Sequence, residues 1–226
     1  MVSQRPRRND TQGHKPTTLE GPEDAEAAVT ADKEATMATI LDVGQCITEL
    51  LPGVDKMKLY KLCYFSQGWH LAWTGKPLFS DEFEGWRHGP VCQLLRHHTE
   101  AVAKGYTVAE VPGGESARLS AYEAAVVART VEFYGNQKST DLSELSHGAA
   151  WKDTRVTLNR EEPGNKVMSI QTIHDEFANH IQSGKPSPQM PAQGSRDPAP
   201  SLADFRKSAA KISKEWNSVF ELLATR

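Results

Sequence analysis

The feature that most constrains the fold is an aromatic-rich stretch, Lys58–Val91. It contains three of the five tryptophans of the chain, together with two tyrosines and three phenylalanines. From residue 56 to residue 74 the apolar side chains fall on nearly every face of a helix, and such a helix is buried in a core. Asp55 is a suitable N-cap, and Gly75 lies where a C-cap glycine belongs. The pattern therefore predicts a long central helix surrounded by other elements, with Trp69, Trp73 and Trp86 in the core.

The end of this stretch predicts a short strand followed by another helix. Residues 82–87 are expected to form the strand, and the β-branched, alternating segment Tyr106–Val111 is expected to pair with it. Pro90 suits the first turn of a helix, because its fixed φ and its missing N–H cost nothing there. The helix is expected to continue over residues 91–104. His88 is interpreted as a structural side chain that donates to a carbonyl at the strand–helix joint.

Apolar spacing and capping residues predict further helices. Ser120 and Glu123 form a capping box that opens one of them, and Ser169 is expected to cap the last. The predicted helical ranges are 38–51, 120–134, 141–146, 149–155 and 169–182. Together the elements predict an α+β domain, mainly α, with a small two-stranded β element over residues 38–182.

The two ends of the chain differ in composition from this domain. Residues 1–37 contain no aromatic side chain and are predicted to be a disordered tail, because they bury too little apolar surface to offset chain entropy. Residues 183–200 hold five prolines and are predicted to be an extended linker. Residues 201–226 are predicted to form an amphipathic helix.

The C-terminal helix has an unbroken apolar seam with alternating spacings of three and four residues. Two interpretations stay open: the helix folds back onto its own domain, or it binds a partner, which includes self-association. The candidate partner-binding residues are Phe205, Ile212, Trp216, Val219, Phe220 and Leu223.

Composition narrows the class of partner and the compartment. The net charge of −3 makes nucleic acid an unlikely ligand, and no apolar run is long enough to span a membrane. Cys46, Cys63 and Cys92 form no C-x-x-C pair and lie in apolar surroundings, which favours a reducing, cytoplasmic location. The predicted partner is therefore another protein.

No catalytic, cofactor or metal site is predicted. Asp141, Ser146 and His147 have the composition of a hydrolase triad, but no nucleophile elbow precedes the serine. Gly113-Gly114 lacks the lysine of a phosphate-binding loop. No metal-ligand spacing is found among five histidines of this region. They are His70, His88, His97, His98 and His147. Trp151 and Arg155 share one helical face and are interpreted either as a structural clamp or as part of a partner surface.

The motifs in this chain resemble those of the Panacea domain, the antitoxin domain also called SocA-like and found in phage-associated GepA-like proteins. The resemblance is carried by K-L-x-K-L-x-Y-F-x-Q-G-W-H-L at 58–71, G-K-P-L-F at 75–79, E-x-W-x-H-G-P-V at 84–91, and a histidine followed by W-K-x-x-R at 147–155. The matching residues to which the resemblance assigns a structural or partner-surface role are Lys58, Lys61, Tyr64, Gln67, Trp69, His70, Trp86, His88, Gly89, Pro90, His147, Trp151 and Arg155.

The resemblance implies an antitoxin that binds and neutralises an adjacently encoded protein toxin, without being an enzyme. An adaptor that delivers a bound toxin to a protease is the alternative. An enzyme that depends on His88 and His147 is a second alternative.

Overall fold

The computed structural model describes residues 37–102 and 105–192. Seven α-helices and two strands lie in these ranges. They are α1 Ile40–Leu50, α2 Lys56–Thr74, β1 Glu84–Trp86, β2 Gly89–Val91, α3 Gln93–Glu100, α4 Ala121–Tyr134, α5 Ser139–Leu145, α6 Ala149–Thr154 and α7 Ile170–Gln182. The predicted class, α+β and mainly α with a two-stranded sheet, is confirmed. The predicted N-terminal tail and C-terminal helix lie outside the described residues, except for Met37.

Helix α2 is the centre of the fold, as the sequence predicted. The Asp55 carboxylate accepts a hydrogen bond from the Lys58 backbone N–H at 2.9 Å, and Gly75 ends the helix with φ +70°. Every residue from Lys61 to Leu71 is buried. Helices α1, α4, α5 and α7 and strand β2 all pack against it. Burial on all sides explains why the sequence shows no polar face in this segment.

The crossing of α2 and α7 depends on a glycine in the middle of α2. A Cβ atom at Gly68 would lie 2.2 Å from the ring of Phe177, so only glycine allows this approach. The Phe177 ring then meets Trp69 edge-on, with 5.0 Å between ring centroids. Trp69 is fully buried, which confirms its predicted core position.

The two strands form a hairpin, and this corrects two predictions. Glu84, Gly85 and Trp86 pair antiparallel with Val91, Pro90 and Gly89, respectively. Pro90 is therefore in a strand and not in the first turn of a helix, and α3 begins only at Gln93. A proline is compatible with a strand whose N–H side makes no ladder bond.

The segment 106–111 does not pair with β1, which is the second correction. Its residues 106–108 lie beside residues 54–56, where the Lys56 N–H donates to the Tyr106 carbonyl at 2.8 Å. The free edge of β1 is taken by residues 166–168 instead, since the Gly85 N–H donates to the Lys166 carbonyl at 2.9 Å. Only an isolated bridge between Thr107 and Asp55 forms here, so both the predicted strand 106–111 and its partner were wrong.

The described part of the predicted linker, residues 183–192, contains no helix or strand. Pro188 and Pro191 are nevertheless buried, and the His180 ring nitrogen Nε2 lies 3.0 Å from the Pro186 carbonyl. This part of the segment therefore packs on the domain and does not extend away from it.

All three cysteines are buried and unpaired. Burial raises the pKa of the Cys46 thiol to about 12, so it remains protonated at neutral pH. Within the described ranges, no helix combines the length and the apolar character that a membrane crossing needs.

Candidate functional site

Four backbone carbonyls of the hairpin each accept a hydrogen bond from a buried side chain of another element. The four bonds are Arg155 Nη1 to Gly85 O (2.9 Å), Trp151 Nε1 to Trp86 O (2.7 Å), Ser143 Oγ to His88 O (2.9 Å) and Lys61 Nζ to Pro90 O (3.0 Å). We call this arrangement the hairpin clamp. It fixes the hairpin backbone from both ends, and three of its four donors were candidate residues from the sequence.

Lys61 is buried in the interior and is only 1% exposed. Its side-chain nitrogen Nζ donates to a carbonyl, and burial lowers its pKa to about 7. Gly89 makes room for it. A Cβ atom at Gly89 would lie 2.7 Å from Lys61 Nζ and 2.2 Å from Ser146 Oγ, and the φ of +93° there is one that L residues rarely adopt.

Arg155 holds the opposite strand of the hairpin. It is 3% exposed, and its guanidinium carbon lies 5.0 Å from the Trp151 ring centroid. Its Nη2 donates to three carbonyls of the loop that follows α6, those of Asn159, Arg160 and Glu162. These contacts of Arg155 are those expected of a structural clamp, which is one of the two interpretations drawn from the sequence.

The other candidate residues on α2 also bind within the domain. Lys58 Nζ donates to the Gly135 carbonyl at 2.9 Å. The Gln67 side chain accepts from the Leu78 N–H and donates to the Phe79 carbonyl. His70 Nδ1 lies 2.8 Å from the Lys76 carbonyl. The Gln67 and His70 contacts tie the loop after α2 to the helix, whereas Lys58 ties the end of α4 to it.

Tyr64 contacts a carboxylate that sequence reasoning had not singled out. Its hydroxyl donates to Glu176 Oε1 at 3.4 Å, and the Ala150 N–H donates to Glu176 Oε2 at 2.6 Å. Glu176 therefore links α2, α6 and α7. Burial raises the pKa of this carboxyl above its usual value.

The turn of the hairpin faces outward. Arg87 and His88 are exposed and Trp86 is partly exposed; we call these three residues the hairpin surface. Two predictions are corrected here. Trp86 is not in the core: its Nε1 donates to Glu84 Oε2 at 2.7 Å, and Arg96 lies over its ring at 4.9 Å. The His88 ring does not donate to a carbonyl but lies 3.2 Å from Arg87 Nε.

A cavity of about 470 Å³ opens beside the hairpin surface. Its lining residues are Trp86, Arg87, Gln93, Pro163, Gly164 and Asn165. Arg87 also lies 3.7 Å from the exposed Glu161 carboxylate. An aromatic side chain and an arginine at the edge of a cavity are the residue types that dominate protein interfaces.

Ser146 and His147 do not form a catalytic pair. Ser146 Oγ donates to the Ser143 carbonyl at 2.7 Å, whereas the His147 ring packs on Trp151 with 4.0 Å between centroids. Across residues 37–102 and 105–192, no three His, Cys, Asp or Glu side chains are grouped to hold a metal ion.

Comparison with known protein families gives a match to part of this architecture. Residues 59–152, less than half of the chain, match the family model described as "Antitoxin SocA-like, Panacea domain". The matched segment is similar to a SocA-like Panacea domain. No curated protein and no solved structure shows a significant match to the chain.

The match confirms the resemblance drawn from the motifs and supports an antitoxin role in general. The Panacea match contains three donors of the hairpin clamp, which are Lys61, Ser143 and Trp151. Arg155 lies three positions beyond it. The sequence-based candidates on the C-terminal helix, including Phe205 and Trp216, lie outside the described residues.

Proposed function

We propose that this protein is an antitoxin that neutralises a protein toxin, encoded by a neighbouring gene, by binding it directly. The observation that carries the proposal is the match of residues 59–152 to the SocA-like antitoxin family. Binding without catalysis is consistent with the Ser146 and His147 contacts, in which neither side chain activates the other. The toxin is expected to meet the protein in the cytoplasm, where it is synthesised.

We further propose that the hairpin surface is the place of contact. Trp86, Arg87 and His88 project from a backbone that the clamp holds in one arrangement, so ordering them on binding costs little conformational entropy. The cavity of about 470 Å³ beside Trp86 offers room for a side chain of the partner. Rigid aromatic and arginine anchors next to a cavity are typical of binding hot spots.

A second contact is proposed for the C-terminal seam. Its six candidate residues would bury apolar surface on the toxin at roughly 1.5–3 kcal/mol for each large side chain, before ordering costs. Truncation after residue 192 removes the seam and leaves the described residues in place, which separates this contact from the hairpin surface.

Co-expression with the neighbouring gene tests the class of function. We expect the gene to arrest growth alone, and growth to return when the full chain is present. A tag on the full chain should retain the intact toxin in a stable complex. Rescue accompanied by loss of toxin protein, in a protease-dependent way, would instead indicate the adaptor. Rescue with neither complex nor degradation would overturn direct neutralisation.

A further inference from the structure

A second cavity, of about 370 Å³, lies on the α6 side of the hairpin clamp, and the proposed function does not use it. We call it the His147 pocket. Its lining residues are His147, Trp151, Lys152, Arg155, Val156, Leu158 and Arg160. Basic side chains dominate this lining, and Trp151 supplies an aromatic surface between His147 and Arg155.

His147 is unsatisfied in this pocket. Its side chain is 8% exposed, and both ring nitrogens are buried without a hydrogen-bond partner. The nearest acid is Glu144, whose Oε2 lies 3.7 Å from Nδ1, beyond hydrogen-bond distance. A buried polar group without a partner destabilises the fold, because its hydrogen bonds to water are lost and not replaced. Burial lowers the pKa of His147, so the neutral ring offers one N–H donor and one acceptor.

Arg155 adds a second unsatisfied donor to the same lining. Its two Nη atoms bind carbonyls, but its Nε is buried and has no partner. Two buried side chains with unused hydrogen-bonding capacity therefore flank Trp151. Natural proteins satisfy most buried polar groups, and exceptions that cluster at one cavity point to a missing ligand.

The mouth of the pocket already holds one carboxylate. Arg160 binds both oxygens of Glu144, and the two side chains are 56% and 61% exposed. An exposed ion pair of this kind contributes little to stability, so another carboxylate can replace it. Lys152 is exposed nearby, and Val156 is a 76% exposed apolar side chain.

We infer that the His147 pocket binds an acidic side chain of a protein partner, flanked by apolar residues, and that Glu144 is its internal competitor. The carboxylate takes Arg160 from Glu144 and accepts from the His147 N–H. Apolar neighbours of the acidic residue pack on Trp151, Val156 and Leu158. The identity of that partner as the toxin rests on the proposed function.

The chemistry of the ligand is tested on the full chain by NMR titration. The probes are an acetylated leucine–glutamate–leucine amide, its leucine–glutamine–leucine counterpart, and inorganic phosphate. We expect the glutamate peptide to shift the His147 ring and Trp151 indole signals, and the glutamine peptide to leave them unchanged. Equal shifts with both peptides, or shifts with phosphate alone, would overturn the inference.

Three variants assign the response to the pocket. Glu144→Gln should increase the affinity for the glutamate peptide about two- to fivefold, because the internal competitor is lost. Arg160→Gln should abolish the shifts. Arg129→Gln is the matched control, because Arg129 forms a similar exposed pair with Glu132 at 2.8 Å on α4. Loss of binding in the control, or retention in Arg160→Gln, would contradict the assignment.

His147→Phe connects the pocket to the toxin. The phenyl ring keeps the packing on Trp151 and removes two unsatisfied nitrogens, so the unfolding midpoint should stay the same or rise. Toxin affinity should fall about tenfold. Unchanged affinity of His147→Phe for a toxin that the wild type binds would overturn the pocket's role and leave the proposed function intact. If the wild type binds no toxin, the proposed function fails, and the peptide titration still decides the pocket.

Discussion

The Panacea motif residues on α2 and those of the hairpin turn differ in where their polar groups bind. Lys58, Gln67 and His70 direct theirs to backbone groups inside the domain. Arg87 and His88, in contrast, project from a turn whose backbone is already held by the clamp. One continuous sequence pattern therefore contains both a scaffold and a surface. Variants in the two regions should separate stability from binding.

The largest effect on the free energy of unfolding is expected from a pair of tryptophans, of which one lies in the scaffold and one on the surface. Trp69 is fully buried, so Trp69→Ala should lower the free energy of unfolding by about 3–5 kcal/mol. Trp86 is partly exposed, so Trp86→Ala should lower it by less than about 1.5 kcal/mol. Urea unfolding followed by circular dichroism measures both.

Similar losses of stability in Trp69→Ala and Trp86→Ala would contradict this comparison of scaffold and surface. Trp86 would then be part of the scaffold, and its place in the hairpin surface would be wrong. Trp86→Phe is a useful companion, because it keeps an aromatic ring under Arg96 while removing the indole N–H that Glu84 accepts.

The next largest effect is expected from Lys61, and it concerns how the free energy of unfolding depends on pH. Its pKa is lowered to about 7 in the folded protein from 10.5, so the unfolded chain holds more protons between these values. Stability from this group therefore rises with pH above 7. Between about pH 7 and pH 8.5, the free energy of unfolding of the wild type should rise by on the order of 2 kcal/mol relative to that of Lys61→Met.

The difference between the two proteins is the quantity to measure, because the buried cysteines contribute equally to both. Parallel slopes over this pH range would show that the pKa of Lys61 is not lowered in the folded protein, and that Lys61 stays a cation in the hairpin clamp.

The smallest effect is expected from Glu176, whose contribution to stability falls as pH rises. Burial raises its pKa in the folded state, so the stability it provides is present below the unfolded pKa and falls as pH rises through the folded value. Glu176→Gln keeps one carbonyl oxygen as an acceptor for the Ala150 N–H, and its NH2 group donates to the Tyr64 hydroxyl oxygen. The variant should therefore match wild type near pH 4 and exceed it slightly near pH 8. A variant that is less stable at both pH values would contradict this account.

Local signals explain why much of the fold was predictable. The bounds of α2 follow from Asp55, Gly75 and the apolar side chains between them, all within one segment. The capping box of Ser120 and Glu123 likewise opens α4 as predicted. Such signals need no knowledge of which distant segment packs where.

Strand pairing was not predictable in the same way, because it depends on non-local partners. The segment 106–111 was predicted to pair with β1, yet β2 and residues 166–168 occupy both edges of that strand. The signal that was available is the sequence after Trp86, where Gly89 follows a two-residue turn. His-Gly-Pro was interpreted as a helix start, although a glycine at that place also predicts a hairpin.

The candidate site was predictable in its residues but not in their roles. Trp151 and Arg155 were placed on one face from their spacing, and both bind the hairpin. Ser143, which binds the His88 carbonyl, was missed because a serine in a short helix carries no distinctive pattern. Trp86 was assigned to the core by residue type alone, and its exposure depends on the turn that follows it.

The most direct test of the account is the affinity of the purified full chain for its toxin, measured by titration calorimetry. The double variant Arg87→Glu, His88→Glu should bind at least about tenfold more weakly, with an unchanged unfolding midpoint. Arg129→Glu, on the exposed face of α4, is the control and should bind like wild type. Wild-type affinity in the double variant would contradict the assignment of the hairpin surface as the toxin contact.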